Sequence, residues 1–460
     1  MTTMLFTKRQ IVNIAVPLFI QYMLGMLVGI VDTMMVSSAG EATVSGVSLV
    51  NSLDSMLVMV FASLVTGGSV VVAQMIGARE LPRAQSAAKQ LLYASTIVAT
   101  LIGAMMLIGG RGMLSLLFGQ VERDVMQSAN AYLIYIAISY PFLAIFNSAA
   151  SLFRVMGNSK VTMVVSLGLN VINVAGNAIL IYGLGMGAAG AAIATLIARA
   201  VGAIILLVLL HSRENLIYLE RLFSYRPDFG VIREILRIGV PNGIENSMFH
   251  LGKLLTQALV SSLGTGAIAA VAVANNLVSL QYMPGNVVSD TMVTVVGRCV
   301  GAREKEQAKK YARALMLVTY GSIWIVALLT SVFVRPLIGL YSLSGEAAEV
   351  ARTMLLYHAV FACLIWPMAF TLPATFRAAS DVKFPMMVSL MSMWIFRVAL
   401  SYLLAPEQFV LFGLRIPAMG LGPLGVWLAM FVDWAFRALL FVPRFLRGKW
   451  LEVYDRVHGT

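Results

Sequence analysis

Six carboxylates stand inside runs of apolar residues: Asp32, Asp54, Glu245, Asp290, Asp381 and Asp433. A charge at the centre of a bilayer costs about 2.5–3.5 kcal/mol on insertion scales, so each of these needs a partner, an ion or water. Carboxylates so placed can hold a proton or another cation. Glu245 is the strongest candidate. It lies one turn beyond Pro241 in Val-Pro-Asn-Gly-Ile-Glu-Asn-Ser, with Asn242 and Asn246 as neighbouring oxygen donors. At helical spacing Glu245, Phe249, Lys253, Thr256 and Gln257 share one broad face, and a face built only for packing would not carry a carboxylate, an ammonium and an amide. Lys253 is two turns from Glu245, roughly 12 Å along the axis, which is too far for a direct ion pair.

Asp32 comes late in the first apolar run, with Gln21 three turns earlier on the same face. Asp381 follows Arg377 by four residues, the spacing of a local helical ion pair, and Asp433 precedes Arg437 in the same way. Asp54 and Asp290 are further candidates. Arg199 and Arg397 are expected to neutralise buried carboxylates. His250 and His358 lack metal-ligand neighbours and read as structural. Neither a nucleophile–base set nor a His-Glu-x-x-His motif is present, so the chain does not read as an enzyme.

The elements that must position these groups follow from composition. Hydrophobic residues make up 59% and charged residues 12%, against about a quarter charged in a soluble domain; mean hydropathy is +0.86. Apolar runs of twenty or more residues recur, each long enough to cross about 30 Å of hydrocarbon as a helix. The fold class is therefore an all-α polytopic membrane protein. Twelve transmembrane helices are expected at about 10–37, 44–76, 86–110, 129–153, 160–183 and 187–211, then 234–262, 267–299, 308–334, 348–375, 383–405 and 419–445. The domains are an N-terminal six-helix lobe over 1–211, a linker over 212–233, a C-terminal six-helix lobe over 234–445 and a tail over 446–460. Pro141, Pro284, Pro367 and Pro373 interrupt helices. The first apolar run is too long for a cleavable signal.

The chain is duplicated. Gly77-Ala-Arg-Glu80 returns 224 residues later as Gly301-Ala-Arg-Glu304, and the same offset aligns Ile14-Ala-Val-Pro17 with Ile238-Gly-Val-Pro241. An offset of 223 aligns Phe153-Arg154 with Phe376-Arg377 and Val165-Ser-Leu167 with Val388-Ser-Leu390. Near the end of each half, Gly185-x-Gly-x-x-Gly190 answers Gly420-x-Gly-x-x-Gly425, with the extra residues in the loop around Pro406–Pro417. These glycine strings follow no strand and suit close helix packing, not a dinucleotide site. Each half has an even number of spans, so both enter the membrane alike, giving a pseudo-twofold axis along its normal and a cleft between bundles as the expected substrate site. By the offset Gln21 occupies the place of Glu245, and Asp32 that of Thr256: the scaffold is duplicated, the titratable groups are not.

The net charge of +12 does not indicate nucleic acid. Lys and Arg gather in alternate loops, among them Arg79, Arg83, Arg154, Lys160, Arg303 and Lys383, which places both termini in the cytoplasm of a plasma (inner) membrane protein. Cys299 and Cys363 form no disulfide framework or ligand spacing.

As a set, Ile14-Ala-Val-Pro17, Val31-Asp-Thr-Met-Met35, Gly-Ala-Arg-Glu in both halves, Gly183-Leu-Gly-Met-Gly-Ala-Ala-Gly-Ala-Ala192 and Phe376-Arg-Ala-Ala-Ser-Asp-Val-Lys383 make the chain resemble the multidrug and toxic compound extrusion (MATE) family over nearly its whole length. The resemblance implies export of organic cations and drugs against Na+ or H+ by alternating access of two lobes. It carries the acidic positions of the sodium-coupled branch onto Asp32, Glu245 and Asp381. The chain departs from proton-coupled relatives that have an aspartate on the fifth helix: here the run is Asn173-Val-Ala-Gly-Asn177, and Asn177 cannot release a proton.

The site expected is thus Glu245, Asp32 and Asp381 for ion and substrate, with Asn246, Gln257, Lys253, Asn177, Asn173, Gln21, Asp54 and Asp290 as secondary candidates. No cofactor is expected beyond the coupling ion, Na+ or H+, with Na+ at Glu245 the one metal to consider. The expected partners are a cationic or amphipathic small molecule and the lipid bilayer, with no nucleic acid, and a monomeric chain. A lipid-linked oligosaccharide flippase of related fold is the alternative, disfavoured because few arginines lie inside the spans.

Overall fold

Thr7 opens the first helix in this computed structural model, which describes residues 4–119, 122–220, 226–341, 343–411 and 414–458. Gln10 N donates to Thr7 Oγ1 at 3.3 Å and Thr7 N donates to Gln10 Oε1 at 2.8 Å, a reciprocal cap that stabilises the helix start by about 1 kcal/mol. From it run α1 (Lys8–Ser37), α2 (Glu41–Gly77), α3 (Leu81–Phe118), α4 (Arg123–Met156), α5 (Ser159–Asn177) and α6 (Gly187–Leu210). Then come α7 (Phe229–Ser262), α8 (Thr265–Gly301), α9 (Lys305–Val332), α10 (Val334–Gly339), α11 (Gly345–Leu364) and α12 (Leu372–Ala378). The chain ends with α13 (Lys383–Ser392), α14 (Leu400–Leu404), α15 (Pro423–Leu446) and α16 (Lys449–His458). Residues 221–225 of the expected linker and 459–460 of the tail lie outside the described residues.

Among the described residues, eleven helical segments are long and apolar enough to cross a membrane. The seventh expected span, α7, is not one of them. It is long enough, but Arg233, Glu234, Arg237, Glu245 and Lys253 dilute its apolar content. Two other spans are interrupted. Wider π-helical turns occupy Pro367–Thr371, between α11 and α12, and Met393–Ala399, between α13 and α14; a third, Ala178–Gly183, follows α5. Pro367 opens the first of these, as expected where a proline removes a backbone donor; π-turns of this kind gather at functional sites. The loop expected around Pro406–Pro417 instead contains an antiparallel hairpin, β1 (Gln408–Leu411) and β2 (Leu414–Pro417), pairing Gln408 with Pro417 and Leu411 with Leu414.

The chain divides into two compact units, Met1–Gly243 and Ile244–Thr460. In the first, α4 packs on α2, α3 and α6, and α5 packs on α1 and α6. Its core is aliphatic around Phe61 and Tyr140, whose rings lie 5.5 Å apart. In the second, α8 packs on α9, α11 and α12, while α15 lies against α13 and α14 and the π-turn between them. Its core is aromatic, with Trp427, Phe431 and Trp434 around His358. His358 is a satisfied core residue: Nδ1 lies 2.6 Å from Gln281 Oε1, and Gln281 Nε2 donates to Thr330 Oγ1 at 2.7 Å.

The duplication extends to backbone conformation. Positive φ occurs at Gly40 and Gly264 (103° and 106°), at Arg79 and Arg303 (62° each), at Gly157 and Ser380 (91° and 62°), and at Gly185 and Gly420 (63° and 66°). Each pair stands at the offset that aligns the two halves of the sequence. The positive-φ positions in corresponding connections between helices thus recur in both halves, even where the residue is not glycine.

Candidate functional site

Asp32 projects from α1 toward α5, where the repeat of Asn173 and Asn177 at i and i+4 puts two amides on one helix face. Asn177 Nδ2 donates to Asp32 Oδ1 at 2.7 Å. The hydrogen-bond network orients the Asn173 amide with its nitrogen toward the same carboxylate, 2.8 Å from Oδ1 and 3.2 Å from Oδ2, and its oxygen toward Thr195 Oγ1 at 3.2 Å. Asp32 is half-buried and has no arginine or lysine partner among the described residues. Asn177 Oδ1 is buried and has no hydrogen-bond partner. A carboxylate and two amides, one of them with an orphaned carbonyl oxygen, therefore stand together. Further along the same pair of helices, the Thr162 hydroxyl lies 3.3 Å from Gln21 Oε1.

Asp54 takes a different part. Arg199 Nη2 lies 3.7 Å from Asp54 Oδ2, and Arg199 Nη1 donates to Ser139 Oγ at 2.7 Å. The expected neutralisation of a buried carboxylate by Arg199 is observed.

In the second unit Glu245 occupies the place of Gln21 and also meets the facing helix, α13, though at Ser389, the counterpart of Ser166 and one turn beyond that of Thr162. Ser389 Oγ donates to Glu245 Oε1 at 2.7 Å and accepts from Arg437 Nη1 at 3.0 Å. Arg377 Nη1 lies 3.9 Å from Glu245 Oε2, and both side chains are largely buried. Arg437 Nε donates to Asp433 Oδ1 at 2.8 Å, the expected i to i+4 pair, and Arg397 Nη1 stands 3.7 Å from Asp433 Oδ2. Arg397 and Arg437 also lie over the Phe249 ring, 5.2 and 5.7 Å from its centroid. The sequence suggests mostly acidic candidates. The C-terminal unit instead sets two carboxylates, Glu245 and Asp433, among Arg377, Arg397 and Arg437.

Asp381 does not form the expected local pair with Arg377. Helix α12 ends at Ala378 and Ser380 turns with φ 62°, so the i to i+4 relation is lost. Arg444 Nε donates to Asp381 Oδ2 at 2.6 Å instead, and Arg377 is released to Glu245. Burial pushes the Asp381 carboxyl above its ordinary value, with Arg444 pulling the other way. Asp290 and Asn246 are half-buried on α8 and α7.

Lys253, Gln257, Thr256, Asn275, Arg397 and Trp427 line a cavity of about 40 Å³ in the C-terminal unit. Sequence reasoning missed Ser389, although Val-Ser-Leu recurs at both 165–167 and 388–390 and so marks its position.

A family profile, MatE, matches the chain twice, over residues 17–179 and 241–403. An uncharacterised transporter of Bacillus subtilis, YisQ, is 25% identical over 95% of this chain and 93% of its own length. A probable multidrug resistance protein NorM of Thermotoga maritima is 26% identical over 96% of this chain and 93% of its own. A crystal structure of a MATE transporter in a bent conformation superposes with a TM-score of 0.85 at 21% identity, covering 98% of this chain and 97% of that one. With two copies of the family's unit, one in each half of a nearly all-helical membrane chain, the protein belongs to the MatE family of multidrug efflux transporters.

Proposed function

We propose that the protein is a secondary antiporter that exports cationic or amphipathic small molecules in exchange for Na+ or H+ by alternating access, with both termini in the cytoplasm and the monomer as the working unit. The observation that carries this reading is Asp32, a carboxylate on a membrane helix met by the amides of Asn173 and Asn177 and by no cationic side chain among the described residues. An ionised carboxylate with only neutral partners retains its attraction for a cation. Na+ would take carboxylate and amide oxygens there, Asn177 Oδ1 among them; a proton would take the carboxylate itself. Capture of the coupling cation and of a cationic substrate in turn converts an ion gradient into export, because only differential affinity between two conformations can shift their populations.

Glu245 takes part as the end of a bridged chain through Ser389 to Arg437 and Asp433. A cation arriving at Glu245 competes with Arg377 and Arg437, so its occupancy would loosen that chain. Asp381, tied to Arg444, holds the turn between α12 and α13.

Proteoliposomes loaded with a fluorescent organic cation test the reading, with an imposed Na+ gradient compared against an imposed pH gradient. One of the two should drive transport, and Asp32→Asn should abolish the coupled part while the protein remains folded. Coupled transport at the wild-type rate in that variant would remove Asp32 from the mechanism.

A further inference from the structure

Few basic residues mark the helix ends opposite the Lys- and Arg-rich loops, and two of them converge. Arg111, near the end of α3, and Arg123, at the start of α4, line one hollow of about 890 Å³ together with Gln127 and Asn130. Both guanidiniums are exposed, and neither has an ion-pair partner among the described residues. No acidic residue among the described ones lines the hollow. Glu122 and Asp124 flank Arg123 in sequence, but Asp124 lines a second hollow, beside Ser38 and Gly185.

Depth and surroundings point to lipid. Arg111 follows Lys89 by 22 residues with no charged residue between them. That is about 33 Å of helix, close to the thickness of the hydrocarbon core. With Lys89 on the inner side, Arg111 stands at the level of the opposite leaflet's phosphates. Leading up to it on α3, Leu101, Met105 and Ile108 are exposed at 65%, 56% and 89%, one helical turn apart, and Ile134 and Ile138 are exposed on α4. Both apolar stripes are surfaces for acyl chains, and both run toward the hollow. The two helices pack closely at this depth: a Cβ on Gly103 would come within 2.7 Å of the Ala137 carbonyl oxygen, and one on Gly110 would collide with Leu133. The hollow opens just beyond these contacts.

A phosphodiester presents two anionic oxygens to a guanidinium fork, a pairing arginine suits better than lysine. A zwitterionic head group would bring an ammonium that finds no carboxylate here, whereas a glycerol head group would bring hydroxyls to the Gln127 and Asn130 amides. The arginine pair is not repeated in the second unit. The 224 offset answers Arg111 with Arg335, but the 223 offset that aligns Phe153 with Phe376 answers Arg123 with Glu346. We infer that this hollow holds the phosphate of an anionic glycerophospholipid of the outer leaflet, its chains lying along α3 and α4. The choice of leaflet rests on the reading that both termini are cytoplasmic.

The test is native mass spectrometry of the full-length protein in an uncharged detergent, titrated with phosphatidylglycerol or with phosphatidylcholine of the same chains. Phosphatidylglycerol should add with the higher affinity. Arg111→Gln and Arg123→Gln should each weaken its binding about fivefold, the effect of one charge near a lipid surface, and Arg335→Gln should leave it unchanged. Equal affinities for the two lipids, or an equal loss in Arg335→Gln, would overturn the site. Full displacement of phosphatidylglycerol by millimolar inorganic phosphate would also overturn it and assign the hollow to free anions. Labelling of Ser115→Cys by a membrane-impermeant maleimide, with the wild type as background, separates the two readings. Lipid preference with labelling only from the cytoplasmic face sinks the orientation alone, and labelling from outside without the preference sinks the lipid site alone.

Discussion

Asn177 Nδ2 donates to Asp32 Oδ1 at 2.7 Å, so the carboxylate that faces the fifth helix is met by an amide and not by a second acid. Asn177→Asp would set two carboxyl groups within hydrogen-bonding distance, and such a pair cannot ionise fully near neutral pH. One proton would then be held between α1 and α5. The variant should shift the driving force toward the pH gradient, raising the ratio of proton-driven to sodium-driven export in proteoliposomes. A ratio equal to that of the wild type would argue that Asp32 binds no coupling ion.

Ser389 joins Glu245 to Arg437 through a single hydroxyl. Ser389→Ala removes a donor from a largely buried carboxylate and an acceptor from a buried guanidinium, at a cost of about 1–3 kcal/mol. Thermal unfolding in detergent should register a lower Tm. Adding Glu245→Gln should cost less in the Ser389→Ala background than in the wild type, because the carboxylate has already lost its donor. Strict additivity of the two losses would mean that the bridge carries no coupling.

The architecture was legible because hydropathy and the 224-residue offset both arise from covalent sequence: eleven of the expected helical passes among the described residues, and the pairing of the two halves. The site was legible in part. Isolated carboxylates in apolar runs are costly enough to announce themselves, and Asn173 and Asn177 came into view only through the family resemblance. Partners supplied by other helices were not legible. Arg444 displaces Arg377 from Asp381, an exchange fixed by the left-handed turn at Ser380, and serine gives no warning of that conformation. The positive charge of the C-terminal cluster was hidden for the same reason, since Arg377, Arg397 and Arg437 lie on three different elements.

Asp381 offers a pH test. Burial raises its carboxyl in the folded protein despite Arg444. A carboxyl so raised contributes stability that is complete below its unfolded value near 4 and is lost as pH rises through its folded value. Relative to Asp381→Asn, the wild type should therefore lose Tm as the pH rises above about 4. A wild type that gains on the variant over that rise would show that the ion pair with Arg444 outweighs burial.

The recurring turns make the final prediction. Arg79 and Arg303 both hold φ at 62° in the repeated Gly-Ala-Arg-Glu sequence, and both side chains are exposed. For a residue with a Cβ this conformation costs about 1–2 kcal/mol, and glycine would escape it while giving back part of the gain in unfolded-chain entropy. Arg79→Gly and Arg303→Gly should each raise stability by about 0.5–1 kcal/mol. Gly157 is the reverse case: φ is 91°, and an added Cβ meets nothing within 4 Å, so Gly157→Ala isolates the backbone cost and should lower Tm. If both arginine variants melt lower than the wild type, side-chain contacts and not backbone relief govern these turns, and the shared geometry of the two halves reflects selection on the arginines themselves.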